Sequence, residues 1–475
     1  MNQSRPVAVA VLGGGISGLA AAIAAAGAGL SCTLFEKEPK VGGLWGSAEK
    51  DGFIFDHGVH GLYPAGPKTE GTVKLLREIV GDAFVETNKN TKILFKDKLV
   101  TYPLQPGEFF TAYGPQGFWW AANLLGARLL TSIRGEARMR SFRDYVEGNF
   151  GDLLYRIYFE PYVKKVWGVD PAYLDLESVA RRVKRIRLRS FLKQLAARGL
   201  GIPAAEHSYD GLQPMKIIYP KHGAQTVVDA LQRKASAAGA VIATGTVVTG
   251  LSYRDGGYDI VVRGADEKEQ RVRAETVIST LPLPDLLAML FPDPSREVAE
   301  VIYSLKYRAL RICNILLNCE HIFDAQWTYF QDDNFSFSRV NEYKNLSPFF
   351  CPPNTTSLSV EFNCDVGDHI WNLPEEELFS RVATELDQPI GQFREVGAKV
   401  RRHCIGSFSV RLSHGYPLME IGTAKHLSRA LTYVGQFPRI RTIGRQGRFG
   451  YVNGDECVAM GFAAVEELRK ESGAG

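Results

Sequence analysis

The sequence predicts an α/β protein in which a parallel sheet with a strand–turn–helix–strand start is interrupted by inserted α+β material. Three observations predict it. Val7 to Leu12 is a short β-branched run, Ile16 to Ala28 is alanine-rich and helix-favouring, and Leu30 to Phe35 is a second short run. The chain has 475 residues, 45% of them hydrophobic and 23% charged, and at roughly 100–200 residues per domain this allows two or three cores.

The N-terminal apolar stretch is neither a signal peptide nor a membrane span. It is broken by Gly13, Gly14, Gly15 and Gly18, only Arg5 precedes it as a basic residue, and it ends in Glu36 and Lys37 without a cleavage-like site. The 47 glycines and 23 prolines are spread without period or low complexity. A net charge of +4 argues against a dedicated nucleic-acid binder. The seven cysteines (32, 313, 319, 351, 364, 404 and 457) form no C-x-x-C pair and no disulfide framework. A reducing, cytoplasmic setting and no metal site are therefore expected.

Gly13-Gly14-Gly15-Ile16-Ser17-Gly18 has the G-x-G-x-x-G form. In such a loop the first glycine makes the turn, the second lets a pyrophosphate reach the backbone, and the third lets helix and strand pack closely. The helix N-terminus then offers unpaired N–H groups to phosphate. Glu36 follows Gly13 by 23 residues, at the end of the second strand, where an acid accepts ribose hydroxyls. The alternative is an ordinary glycine turn. Strand, helix and acid together favour a Rossmann-type dinucleotide site.

The loop Glu38-Pro39-Lys40-Val41-Gly42-Gly43-Leu44-Trp45 and the stretch Phe55-Asp56-His57-Gly58-Val59-His60 come next. With them the chain resembles the FAD-dependent amine oxidase and protoporphyrinogen oxidase superfamily, which includes UDP-galactopyranose mutases. Further likenesses are Tyr219-Pro220-Lys221-His222-Gly223, the strand Thr246 to Leu251, Thr276 to Pro282, and Thr442 to Phe449 with Tyr451, Asn453 and Asp455. The resemblance implies a glutathione-reductase-like fold of the second family, with non-covalent FAD. It places Gly13, Gly15, Ile16, Ser17 and Gly18 at the cofactor, with Glu36 and Lys37. Gly43, Leu44, Trp45, Gly58 and His60 would run along it, and Val248 would lie against the adenine. Gly444, Arg445, Tyr451 and Asn453 would complete the site near the C-terminus, where a helix N-terminus suits the charge of a reduced flavin. Neither Cys404 nor Cys457 sits in an attachment motif.

The scattered cofactor segments imply one discontinuous FAD-binding domain from 1–75, 214–290 and 400–475. The insertions 76–213, mostly helix-like, and 291–399, strand-rich, would form a substrate domain. Strands are expected at Ile312 to Leu317, Trp327 to Phe330 and Ser357 to Phe362. No second G-x-G-x-x-G marks a separate NAD(P) domain.

The expected reaction is oxidation of a small molecule by hydride transfer to flavin N5, where the protein positions substrate and tunes the ring. His60, with an ordinary pKa of about 6.5, is either a proton shuttle or a backbone-bonding residue. Arg339 lies in Phe337 to Pro348, a stretch resembling bacterial protoporphyrinogen-oxidase-like members, and is the second catalytic candidate. Arg448, Tyr451 and Asp455 are candidate substrate contacts, since the C-terminal loop also resembles that of the sugar-nucleotide mutases, in which arginines and tyrosines hold a diphosphate. A mutase without net redox change is the alternative, and Gly454, where related sequences often carry methionine, departs from that pattern. Eight basic residues and no acidic one lie between Arg181 and Arg198. They form a solvated face, a funnel for an anionic substrate, or a membrane-surface patch with Phe109, Phe110, Phe118, Trp119 and Trp120, aromatics whose other reading is core or pocket lining. No firm membrane attachment is expected.

Overall fold

The computed structural model describes residues 6–62, 70–102, 113–134, 139–176, 216–388, 393 and 395–471. Strand Val7–Leu12 has parallel partners on both sides, Cys32–Phe35 and the second half of Glu269–Ser279. Val241–Ala243 and Ile440–Thr442 extend the parallel array outward. The first half of Glu269–Ser279 instead joins an antiparallel meander with Gly257–Arg263 and Val247–Arg254. Val9 to Leu12 are buried, as the continuous apolar run requires of a strand covered on both faces.

Helix Ile16–Gly27 lies between this sheet and the final helix, Gly454–Glu471. Its alanines permit close approach. A Cβ on Gly461 of the final helix would fall 2.5 Å from the Ser17 carbonyl oxygen and 2.7 Å from Ala20 Cβ. The contact ties the C-terminal segment directly to the first glycine loop.

A second seven-stranded sheet has the order Cys404–Pro417, Tyr307–Leu317, Thr356–Cys364, Arg339–Asn341, Trp327–Phe330, Thr91–Phe95, Lys98–Thr101. It contains the three strands expected between 312 and 362. Two expectations change. Cys404–Pro417 pairs antiparallel with Tyr307–Leu317, so the stretch just after residue 400 belongs to this sheet and not with the first. The helical expectation for 76–213 is also incomplete, because Phe84–Asn88, Thr91–Phe95 and Lys98–Thr101 are strands. The last two form a tight hairpin whose turn places Lys96 at φ 53°, without the glycine that usually signals such a turn.

Strand Thr356–Cys364 alternates strictly. Leu358, Val360 and Phe362 join a core with Leu378 and Val382 of helix Glu375–Glu385. Ser357, Ser359 and Glu361 take the opposite face and are buried too. The sheet therefore buries a polar face. Among the described residues, no helix is long and apolar enough to cross a membrane.

Candidate functional site

The first strand ends at Gly13, whose φ is +101° and whose N–H donates to Phe35 O at 2.8 Å. A Cβ on Gly18 would fall 2.0 Å from Gly13 O, so loop and helix touch through main chain alone. A Cβ on Gly15 would meet nothing within 4 Å. Open space thus lies over Gly15, at the N-terminus of helix Ile16–Gly27. Ile16 and Ser17 are themselves buried.

The Glu36 carboxylate reaches back into the loop. One oxygen accepts from Gly14 N at 2.7 Å and the other from Glu38 N at 2.9 Å. Its backbone carbonyl takes Thr246 N at 2.8 Å, which fixes the strand that carries Val248. Lys37 is exposed and lies 3.8 Å from Glu38. The Gly42–Gly43 turn closes over the loop, with Gly42 N donating to Gly14 O at 2.9 Å. Leu44 and Trp45 follow in a short 3-10 turn.

From the C-terminal side, Gly444 sits at φ +78°, and a Cβ there would be 2.8 Å from Ser17 Oγ. The two glycine motifs, far apart in sequence, therefore meet at Ser17. Arg445 follows. Its Nε and Nη2 donate to Val452 O at 3.1 and 2.8 Å, and its guanidinium lies 4.6 Å from the Tyr451 ring centroid. These atoms hold the chain's own loop in place. Asn453 immediately precedes the final helix, and its N–H is taken by Glu456 Oε2 at 2.8 Å, the returning half of a capping box. Asp455 is buried, whereas Arg448 is exposed.

The stretch with Gly58 and His60 approaches both motifs. Asp56, fully buried, accepts from Ser47 Oγ at 2.5 Å, Tyr219 OH at 2.6 Å and Ala224 N at 2.9 Å. Even with these donors, burial pushes its pKa up to about 6. Tyr219 OH in turn accepts His60 N at 3.3 Å. The His60 ring stacks on Trp45 with centroids 5.0 Å apart, and its Nε2 is out of solvent without a partner. Burial, with Arg445 nearby, pushes its pKa down to about 3, so the ring is neutral. Trp45 also explains Gly454. A Cβ at 454 would fall 2.0 Å from the indole, so a methionine cannot stand there while Trp45 does.

Arg339 completes this part of the site. Its Nη2 donates to both oxygens of Glu361 at 2.7 Å, its Nε is buried without a partner, and its guanidinium lies 5.9 Å from the Tyr329 ring. Asn341 Nδ2 donates to Glu361 Oε1 at 2.7 Å. Tyr329 contacts Tyr102 and Tyr162, with centroids 5.2 and 6.0 Å apart, and Tyr416 stacks on Tyr451 at 6.1 Å. Asp56, Tyr219, Glu361, Asn341 and Tyr329 are not among the site residues the sequence singles out. The alternating polar positions Ser357, Ser359 and Glu361 were the available signal. Trp120 packs on Phe95 in a core, whereas Trp119 is exposed. The basic run 181–198 and Phe109 and Phe110 lie outside the described residues.

These features suit a dinucleotide: open space over Gly15, a helix N-terminus beside it, an acid at the second strand end, and an orphaned ring nitrogen at the far end. They define the class of α/β proteins with a Rossmann-type FAD-binding fold. Within that class, the chain belongs to the flavin containing amine oxidoreductase family, whose profile matches residues 16–444. Over 82 residues, 17% of this chain, it is 37% identical to a 4,4'-diapophytoene desaturase (4,4'-diaponeurosporene-forming) of Staphylococcus aureus, and the match spans 14% of that protein. Among solved structures, it is similar to reduced UDP-galactopyranose mutase with a TM-score of 0.77, at 18% identity over 98% of this chain and 96% of that one. A protein from Exiguobacterium assigned as a protoporphyrinogen oxidase gives 0.72, at 17% identity over 99% and 100% of the chains. Cyclohexylamine oxidase from Brevibacterium oxydans gives 0.68, at 14% identity over 98% and 100%. These structural likenesses concern the fold.

Proposed function

We propose that the chain is an FAD-dependent oxidoreductase that removes a hydride from a small-molecule substrate, with FAD held non-covalently. The observation that carries the reading is the open space over Gly15 at the N-terminus of helix Ile16–Gly27, where the Gly42–Gly43 turn bonds to the loop and Gly444 meets Ser17. When bound, FAD supplies a two-electron acceptor at N5. The rest belongs to this chain. Gly15 and the helix N-terminus take the pyrophosphate, and each Glu36 oxygen, with one backbone N–H bound, keeps acceptor capacity for a ribose hydroxyl. Val248 borders the adenine, and Gly43, Leu44 and Trp45 run toward the ring. The Asp56–Tyr219 pair fixes the His60 main chain. Cys457 is a poor nucleophile, because burial raises its thiol pKa, which supports a non-covalent cofactor.

Held neutral, His60 offers Nε2 as a hydrogen-bond partner that orients the substrate. Tyr102, just past strand Lys98–Thr101, Tyr162 of helix Glu160–Trp167 and Tyr329 of strand Trp327–Phe330 line the substrate side and exclude water. We assign 1–75 and 214–290, with the C-terminal segment from Ile440, to the FAD-binding domain, and the second sheet with its helices to the substrate domain.

An anaerobic titration of the flavin spectrum tests the reading. Bleaching by an amine or a carbocyclic compound is expected. The likeness to UDP-galactopyranose mutase supports a second reading. Conversion of a UDP-sugar to an isomer only after dithionite reduction, without bleaching by any amine or carbocycle, would establish the mutase instead.

A further inference from the structure

We infer that Glu361 sets the charge of the substrate pocket and makes it select an uncharged, hydroxyl-, carbonyl- or amine-bearing substrate over a phosphate or carboxylate. The inference rests on the proposed placing of the flavin beside Gly58 and His60.

Arg339 is the side chain that an anionic substrate would be expected to seek. It stands directly opposite Glu361 on neighbouring antiparallel strands, so register alone brings the two charges together. The Glu361 side chain is 2% exposed, and its carboxylate is filled by Arg339 Nη2 and Asn341 Nδ2. The Arg339 side chain keeps 15% of its surface and so remains reachable. What a ligand meets there is an ion pair, whose field falls off as that of a dipole, and not a free positive charge.

The donors of neighbouring cations are committed to the chain's own carbonyls. Arg445 donates twice to Val452 O. Lys165 donates to Phe330 O at 3.0 Å and Asp332 O at 2.6 Å. His60 is neutral, and Lys89, pushed down to about 8 by burial and so still protonated near pH 7, is sunk between the Tyr102 and Trp327 rings at 5.6 Å from each centroid, whose faces hold its charge.

What remains on offer beside Gly58 is an ion-paired donor and a neutral ring nitrogen. Arg339 Nε and His60 Nε2 are buried without partners. Around Gly58, a Cβ would lie 3.9 Å from Arg339 Nη2 and 4.0 Å from His60 Nε2, so both side chains border the same small space. A donor and a ring nitrogen around that space suit a hydroxyl, carbonyl or amine, flanked by the Tyr329 ring. Glu361 is thus a specificity-determining residue that touches Arg339 and not the substrate.

Calorimetric titration of the FAD-loaded protein with inorganic pyrophosphate and with UDP tests this. The wild type is expected to show no saturable binding of either. Glu361→Gln, which keeps the volume and removes the charge, is expected to gain affinity for both by about tenfold or more, the scale of one charge-assisted contact. Arg339→Gln/Glu361→Gln is expected to lose that gain. An unchanged Glu361→Gln overturns the inference. Should the unpaired buried arginine prevent that variant from folding, the wild type decides against Arg339→Gln. Pyrophosphate binding by the wild type that Arg339→Gln abolishes would overturn the inference, and absence of binding in the wild type supports it. A wild type that takes up no FAD removes the reading beneath the inference, whereas a yellow wild type that binds pyrophosphate through Arg339 overturns the inference alone.

Discussion

Around strand Val7–Leu12 the molecule buries apolar side chains on both faces, and polarity toward a ligand comes from main chain: the Gly13–Gly18 loop and the first turn of the following helix. Around strand Thr356–Cys364 only one face is apolar, and the other buries Ser357, Ser359 bonded to Asn314, and Glu361 bonded to Asn341 and Arg339. The first region recognises by the absence of side chains, so any added Cβ costs it. The second recognises by side chains whose partners lie across strands, so single substitutions strand a charge or a hydrogen bond. On the proposed function, the first would fix a cofactor and the second would specify a substrate.

Substitutions separate the two regions. The largest stability loss is expected for Glu361→Leu, which leaves Arg339 charged and buried; a loss of about 3–5 kcal/mol in urea unfolding is expected. Arg339→Met/Glu361→Leu should recover most of it. A Glu361→Leu protein as stable as wild type would mean that the polar face is solvated and not a buried network.

Asp56 gives a smaller, pH-dependent effect. Its native pKa, pushed up to about 6, lies above the unfolded value of about 3.9. The stabilising contribution of the protonated form is therefore complete below pH about 4 and lost as pH rises through about 6. Relative to Asp56→Asn, the wild type should lose up to about 3 kcal/mol across that window. Denaturation at a series of pH values reads this, and a constant difference between the two proteins would contradict it.

Gly454→Ala places a methyl group against the Trp45 indole, and a loss of about 1–3 kcal/mol with a changed tryptophan emission is expected. The smallest effect belongs to Ser141→Ala. Ser141 caps helix Phe142–Phe150 in a capping box with Asp144, away from both polar systems. About 1 kcal/mol is expected there, with flavin content unchanged.

The first region was legible in the sequence because glycine spacing is itself geometry. Gly13, Gly15 and Gly18 and the acid at Glu36 stand in the structure where the motif requires. Ser17 and Gly444 meet as the paired motifs imply. The second region was legible in its strands and not in its chemistry. Glu361 matters through its register against Arg339, 22 residues away, which no local pattern encodes. The hairpin at 91–101 escaped because Lys96 takes the left-handed conformation without being glycine or asparagine. The position of His60 could be read, but its protonation could not, since that depends on Trp45, Arg445 and Arg339 closing around it. That Arg445 Nε and Nη2 hold Val452 O depends on the loop closing on itself, which the local pattern does not encode.

The most direct measurement is the FAD content of purified wild type and Gly15→Leu, read from absorption after reconstitution, with folding checked by circular dichroism. Because a Cβ at Gly15 meets nothing in the chain itself, the variant should fold and lose FAD, while the wild type binds one FAD per chain. A folded Gly15→Leu with wild-type FAD content, or a wild type that takes up none, would contradict the placement of the cofactor on this loop.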